Sequence, residues 1–168
     1  MPSVVPVFPS GSPLPTAPAA ASSVAVVPAP VSAVAVRELT SPEAAARAWL
    51  SRWCGFDYRT PLGTRENLAH PAMTERAWLN FDPLTYPPAA QAWSAIVAAR
   101  QTAQCTVPVA LVDPEAPRSA TGAYVIVTAQ RVVSAPGQVP VVESVRQTRQ
   151  VLLREGRWLV DIAANGAG

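Results

Sequence analysis

Few residues in this 168-residue chain could carry acid–base chemistry, and they lie far apart in the sequence. His70 is the single histidine, and Pro71 follows it at once, which favours a turn before a short helix. Asp161 lies in the last predicted strand, on the face opposite Trp158 and Val160, so we expect its carboxylate to point away from the core. A general base needs a perturbed pKa and a partner within reach. The sequence therefore predicts no catalytic residue, and a pair of His70 with Asp161 is the alternative to be weighed.

Motifs of other reaction classes are missing from the sequence. It contains no Gly-x-Ser-x-Gly elbow, phosphate-cradling loop, His-Glu-x-x-His helix or dinucleotide-binding fingerprint. The two cysteines, Cys54 and Cys105, are too few for a metal cluster and have no Cys-x-x-Cys spacing. We therefore expect neither a metal nor a cofactor.

The same two cysteines allow two readings. If the domain is exported, Cys54 and Cys105 could pair and close a loop of about fifty residues, which would stabilise the fold by roughly 3 to 4 kcal/mol. In a reducing compartment they would remain buried thiols. The residues alone leave both readings open.

The distribution of charge argues against nucleic-acid binding, and the composition divides the chain into a linker, a folded domain and a tail. All thirteen basic residues are arginines, scattered among acidic neighbours for a net charge of +2, so no basic stripe for nucleic acid is present. Residues 1–36 carry no charge and eight prolines. Proline removes backbone donors and restricts the residue before it, so we predict a disordered linker at 1–40, a folded domain at 41–164 and a short tail at 165–168.

The signals for membrane targeting are equally weak. No stretch reaches the roughly 20 apolar residues that span a bilayer, and the first residues lack the basic start of a secretory signal. Either the protein is cytoplasmic, or a membrane anchor precedes the given start.

The folded part is predicted to begin with helices. Ser41 can cap a helix that opens at Pro42, and Trp49 and Trp53 share its apolar face, which makes them core residues. Two short helices are expected at 64–70 and 71–81, and residues 91–112 are expected to change from helix to strand.

Four strands follow, at 106–112, 123–133, 141–153 and 157–163, with short turns between them. Such an order predicts an antiparallel meander whose apolar face the first helix covers. The third strand carries several polar residues, among them Glu143, Arg146 and Arg149. We interpret these three as a solvated face or a partner surface.

Four segments carry a resemblance to known proteins: the opening helix at 41–50, Met-Thr-Glu-Arg-Ala-Trp at 73–78, Thr-Ala-Gln-Arg at 128–131 and Gly-Arg-Trp-Leu-Val-Asp at 156–161. Through them the chain resembles the cone-shaped, cystatin-like α+β fold of nuclear transport factor two. More narrowly, it resembles the extracytoplasmic domains of actinobacterial conjugation and type IV secretion assembly factors, and of membrane proteins associated with mammalian-cell-entry transporters.

This resemblance implies a function without catalysis. Such domains sit outside the cell membrane, behind a membrane helix and a flexible linker, and assemble with copies of themselves and with other subunits of the complex. We expect the same of this chain: a membrane-associated, homo-oligomeric scaffold domain, attached through a segment that precedes it. The alternative is a small-molecule binder, or an isomerase- or dehydratase-like enzyme, that uses the interior of the cone.

Overall fold

The computed structural model describes residues 32–81, 87–106 and 108–163. Most of the linker predicted at 1–40 and the tail at 165–168 lie outside this part. Residues 32–40, however, belong to the folded domain, because Val34 and Leu39 are buried. The Val34 N–H donates to the Leu68 carbonyl at 3.1 Å, and the Trp158 N–H donates to the Leu39 carbonyl at 3.0 Å. The predicted boundary at residue 41 was therefore too late, because Val34 and Leu39 place apolar side chains in the core.

The helices precede most of the sheet in the chain, as predicted. They are α1 (Pro42–Trp53), α2 (Thr64–Ala69), α3 (Glu75–Phe81) and α4 (Pro87–Ala98), with single 3-10 turns at Val36–Glu38 and His70–Ala72. The predicted cap of α1 is confirmed, since the Ser41 hydroxyl accepts a hydrogen bond from the Ala44 N–H at 3.1 Å. The third helix begins at Glu75 instead of Pro71, because residues 70–72 form the 3-10 turn.

The strands form one antiparallel sheet. They are β1 (Phe56–Asp57), β2 (Thr102–Cys105), β3 (Val109–Val112), β4 (Gly122–Ser134), β5 (Val141–Arg154) and β6 (Arg157–Ala163). The order across the sheet is β1-β2-β4-β5-β6, and β3 pairs with β4 beside β2. The strand predicted at 106–112 is shorter in the structure, at Val109–Val112, and a separate strand, β2, precedes it. Pro108, between the two, has no N–H for the ladder.

The predicted fold class is confirmed. Strands β3 to β6 form the expected meander within a curled sheet, and α1 packs across its inner face. Trp49 of α1 is fully buried, in one core cluster with Val125, Val127 and Val160 of the sheet. The α+β domain is therefore held together by one apolar core between α1 and the sheet.

Candidate functional site

Asp161 is buried, contrary to its predicted position. Its residue surface is only 1% exposed, because the start of α3 covers this part of β6. The Thr74 hydroxyl donates to Asp161 Oδ1 at 2.7 Å, and the Arg76 guanidinium donates to both carboxylate oxygens. Next to this contact, the Thr74 N–H donates to the Val160 carbonyl at 2.9 Å. The carboxylate thus anchors α3 to the last strand.

The electrostatics of this contact favour a charged Asp161. Burial alone would raise its pKa, but hydrogen bonds from Arg76, Thr74 and the Ile162 amide outweigh burial, so the pKa lies below the ordinary 3.8. A carboxylate that is stabilised in its charged form is a weak proton acceptor. The arrangement is therefore suited to fastening two elements together.

His70 is engaged elsewhere. Its ring stacks on the Trp78 ring, with the ring centroids 4.0 Å apart. Among the described side chains, the hydrogen bonds to Asp161 come from Thr74 and Arg76, and none comes from His70. The structure therefore does not bring His70 and Asp161, the alternative catalytic pair, into hydrogen-bonding contact.

The predicted partner surface on β5 is divided between two faces of the sheet. Arg149 is only 7% exposed and points inward, where its guanidinium lies 5.1 Å from the centre of the Trp49 ring. It donates to Gln147 Oε1 at 3.0 Å, and burial lowers the pKa of Arg149. Its assignment to a partner surface was wrong, because it shares its side of the strand with buried Val145 and Val151.

Glu143 and Arg146, the other two residues of the predicted partner surface, lie on opposite faces of β5. Glu143 lies on the inner side, where it accepts hydrogen bonds from the guanidinium of Arg131 at 2.9 and 2.6 Å. Arg146 lies on the outer side and is exposed. An alternation with period two places residues 143 and 149 on one face and residue 146 on the other, so the sequence contained a signal for this split.

Arginine–aromatic contacts near the inner face were not foreseen. The Arg65 guanidinium lies 5.3 Å from the centre of the Trp53 ring and 5.8 Å from that of Phe56. From β4, the Arg131 guanidinium lies 5.9 Å from the same Phe56 ring. Such stacked cations stabilise by roughly 0.5 to 2 kcal/mol each, so these contacts support packing of β1 against its neighbours.

Cys54 and Cys105 form a disulfide, with their Cα atoms 6.1 Å apart. The bond joins the residue after α1 to the end of β2, across a sequence separation of 51. Closing a loop of this length stabilises by about 4 kcal/mol in the chain-entropy estimate.

The outer face of the sheet exposes several apolar side chains. In register on neighbouring strands, Leu111 lies beside Ile126, and Val132 lies beside Val142. The exposed fractions are 64% for Val109, 49% for Leu111 and 65% for Val142. We call these five residues the outer apolar face.

Two depressions also mark the surface, one beside Arg118 and Tyr124 and one beside α1, and neither is lined by His70, Trp49 or Asp161. Over the residues that can be described, no three His, Cys, Asp or Glu side chains are grouped as metal ligands would be. Within the same residues, every helix is too short or too polar to cross a bilayer.

No protein-family model matches the sequence, and no curated protein matches it either. A solved structure described as an "Ntf2 like protein involved in plasmid conjugation" is similar to this chain at 12% identity and a TM-score of 0.42. The match covers 75% of this chain and 48% of that one, so the chain spans about half the length of that protein. The fold assignment rests on the helices and the strand order given above.

Proposed function

We infer that this domain is a non-enzymatic assembly module, which associates with copies of itself and docks to other subunits of a conjugative transfer or secretion complex. The observation that carries this proposal is the outer apolar face, with Val109 and Val142 about two-thirds exposed. Exposed apolar side chains that adjoin on one side of a sheet, as Leu111 and Ile126 do and as Val132 and Val142 do, can form a protein–protein contact surface. The class of complex is proposed from the four sequence segments that resemble its assembly domains.

The engagement of the ionisable residues supports a role without catalysis. Asp161 fastens α3 to β6, and His70 stacks on Trp78. The alternative, a ligand site inside the cone, would need space between α1 and the sheet. Trp49 of α1 and Val125 of the sheet are fully buried in the core cluster of that region. We therefore place the function on the outer face.

Two of the resembling segments meet in space. Thr74 and Arg76 belong to the segment at 73–78, and Asp161 closes the segment at 156–161. The residues that carry the resemblance therefore include a contact that holds α3 against β6.

A position outside the cell membrane is part of the proposal. Disulfides persist in oxidising compartments and are rare in the cytosol, so the bond between Cys54 and Cys105 favours this location. Acid-quenching of cells, followed by thiol alkylation of the denatured protein, tests it: we expect both cysteines to resist alkylation unless a reductant is added first. Alkylation of both without a reductant would contradict this location.

Sedimentation velocity over a range of protein concentrations tests self-association through the outer apolar face. We expect the full chain to form oligomers, and the substitution Val142→Glu to weaken association about tenfold or more, because it buries a charge at the contact. The matched control is Val36→Glu, since Val36 has a similar exposure of 62% but belongs to the first 3-10 turn and to none of the strands that carry the outer apolar face.

Two results would count against the proposal. A wild-type chain that stays monomeric at every concentration, with no loss of binding to partner subunits on Val142→Glu, would remove the outer apolar face as a contact surface. Equal weakening by Val36→Glu and Val142→Glu would show a general effect of added charge.

A further inference from the structure

Strand β3 is paired on one side only within the described residues, and its partner there is β4. The Asp113 N–H donates to the Tyr124 carbonyl at 2.8 Å, at the end of this ladder. Because hydrogen-bonded and non-hydrogen-bonded pairs alternate along antiparallel strands, the backbone groups of Ala110 and Val112 point to the opposite, open edge. An open edge of this kind can pair with a further strand.

The edge of β3 lacks the features that keep strand edges apart. Val109–Val112 contains no charged residue and no proline, and its register with β4 is continuous. On its outer side, Val109 and Leu111 are 64% and 49% exposed. On its inner side, Ala110 and Val112 are partly buried against the core, which holds the strand in place. The edge is therefore a fixed, apolar template for strand pairing.

We propose that the open edge of β3 pairs with the same edge of a second copy, as antiparallel strands related by a twofold axis between the two Leu111 residues. The proposal rests on the self-association inferred as the function of this domain, and it names the contact that joins two copies. The Ala110 N–H donates to the Val112 carbonyl of the second copy, and the Val112 N–H donates to the Ala110 carbonyl there. The twofold axis repeats both bonds in the opposite direction.

The two prolines that flank the strand favour this register. With the two Leu111 residues opposite each other, Pro108 of one copy faces Pro114 of the other, and neither proline has an N–H to be left unpaired. A shift of the pairing by two residues in either direction places one of these prolines opposite Val112 or Ala110. The carbonyl of that residue then has no donor. In the proposed register, both residues of the open edge have their N–H and carbonyl groups bonded.

The charges near the two ends of β3 are complementary in this arrangement. Asp113 and Glu115 follow the strand, and Glu115 is exposed. Arg47 of α1 is also exposed, and it lines a depression together with Pro108, at the start of the strand. Among the described residues, no ion pair engages Arg47 or Glu115. Antiparallel pairing brings the acidic end of each copy towards the arginine of the other, which favours a second copy as the occupant of the edge.

Pairing at this edge extends the outer apolar face. Leu111 belongs to that face, and in the pair it lies next to Leu111 of the second copy on the same side of the joined sheet. The outer apolar faces of the two copies therefore become continuous. Val142 lies on β5, which β4 separates from the joint, so it stays free to contact further copies or partner subunits.

Oxidation of the variant Leu111→Cys with diamide, followed on non-reducing gels, tests the proposal. Cys54 and Cys105 are bonded to each other, so the introduced thiol is the free one. Opposite residues at a non-hydrogen-bonded position have Cα atoms about 4.5 Å apart, within the range of a disulfide. The matched control is Val109→Cys, which is more exposed but lies about 14 Å from its symmetry mate in this register. We expect covalent dimers to form at least about tenfold faster from Leu111→Cys than from Val109→Cys.

The outcomes separate this contact from the proposed function. Dimers that form from Val109→Cys as fast as from Leu111→Cys would overturn the register and the edge contact with it. Failure of both variants to form covalent dimers, while the wild-type chain forms oligomers in sedimentation velocity, would overturn the edge contact and leave the proposed function in place. A monomeric wild-type chain with no covalent dimer from either variant would overturn both.

A second substitution distinguishes the edge from the outer apolar face. Combined with Leu111→Cys, Val142→Glu should leave the rate of covalent dimer formation unchanged, because β5 does not take part in the edge contact. Loss of covalent dimers in this double variant would assign the association to the outer apolar face and overturn pairing through β3.

Discussion

The substitution Thr74→Val tests the contact that fastens α3 to the sheet. The Thr74 hydroxyl has two roles: it donates to the buried Asp161 carboxylate at 2.7 Å, and it accepts from the Ala77 N–H at 3.1 Å. Valine has nearly the same shape but can do neither. The substitution therefore removes the cap of α3 and one donor to a buried charge while leaving the packing volume almost unchanged.

The magnitude follows from these two losses. Replacing a capping threonine costs about 1 kcal/mol. Taking one donor from a buried carboxylate costs about 1 to 3 kcal/mol, while Arg76 and the Ile162 amide continue to donate. We expect a loss of about 2 to 4 kcal/mol, a large share of the 5 to 15 kcal/mol that is typical for a domain.

Urea denaturation at neutral pH measures this loss, with the disulfide intact in every sample. At a slope of about 2 kcal/mol per M, the midpoint should fall by about 1 to 2 M while the slope stays constant. Thr74→Ser is the matched control, because serine keeps the hydroxyl. We expect its midpoint to lie close to that of the wild type.

A midpoint for Thr74→Val within about 0.3 M of the wild type would refute the reasoning, since so small a change is below the cost of the cap alone. An equal loss in Thr74→Ser would assign the effect to the methyl group of threonine and not to its hydroxyl.

Two further predictions concern ionisable residues. The pKa of folded Asp161 is lowered, so the carboxylate stabilises the fold above its unfolded pKa near 3.9, and this contribution is lost as the pH falls through the folded pKa. In urea titrations from pH 6 to 2, Asp161→Asn should therefore reduce the loss of stability with falling pH. An unchanged pH dependence would contradict the assignment. Arg149→Ala should lower the free energy of unfolding by about 2 to 4 kcal/mol, because it empties the space against Trp49, whereas Arg146→Ala on the outer side should change it by less than about 0.5 kcal/mol. Equal effects of the two arginine substitutions would contradict the division of β5 between two faces.

Local signals in the sequence were enough to predict α1 and the meander. Ser41 and Pro42 mark the start of α1 through short-range capping, and the alternation of Val125 and Val127 identifies the inner face of β4. These features depend on neighbours within a few residues. The turns of the long hairpins are also predictable from the sequence. Between β5 and β6, for example, Glu155 and Gly156 adopt left-handed conformations.

Asp161 shows why the rest could not be predicted from the same signals. Period-two alternation assigns its side of β6, but it does not say what covers that side. The cover is Thr74, 87 residues earlier, which is placed there by the packing of α3 and by the Met73 pairing with Val160. A charged residue on the outer side of a strand can be buried at little cost in free energy when the element that covers it also supplies hydrogen-bond donors.

Arg149 is the opposite case, in which the alternation was present and the residue type overrode it. Isolated charges are rarely buried, so residue type alone predicts an exposed side chain for the arginine between Val145 and Val151 on the inner side. The structure buries it by stacking the guanidinium on Trp49, a residue that was itself correctly placed in the core. Strand parity is the stronger signal at this position, because backbone geometry sets the face of a strand, whereas the burial of a polar group depends on its partners. The same rule supports the outer apolar face, since the parity that buries Arg149 also turns Val142 and Arg146 outward on β5.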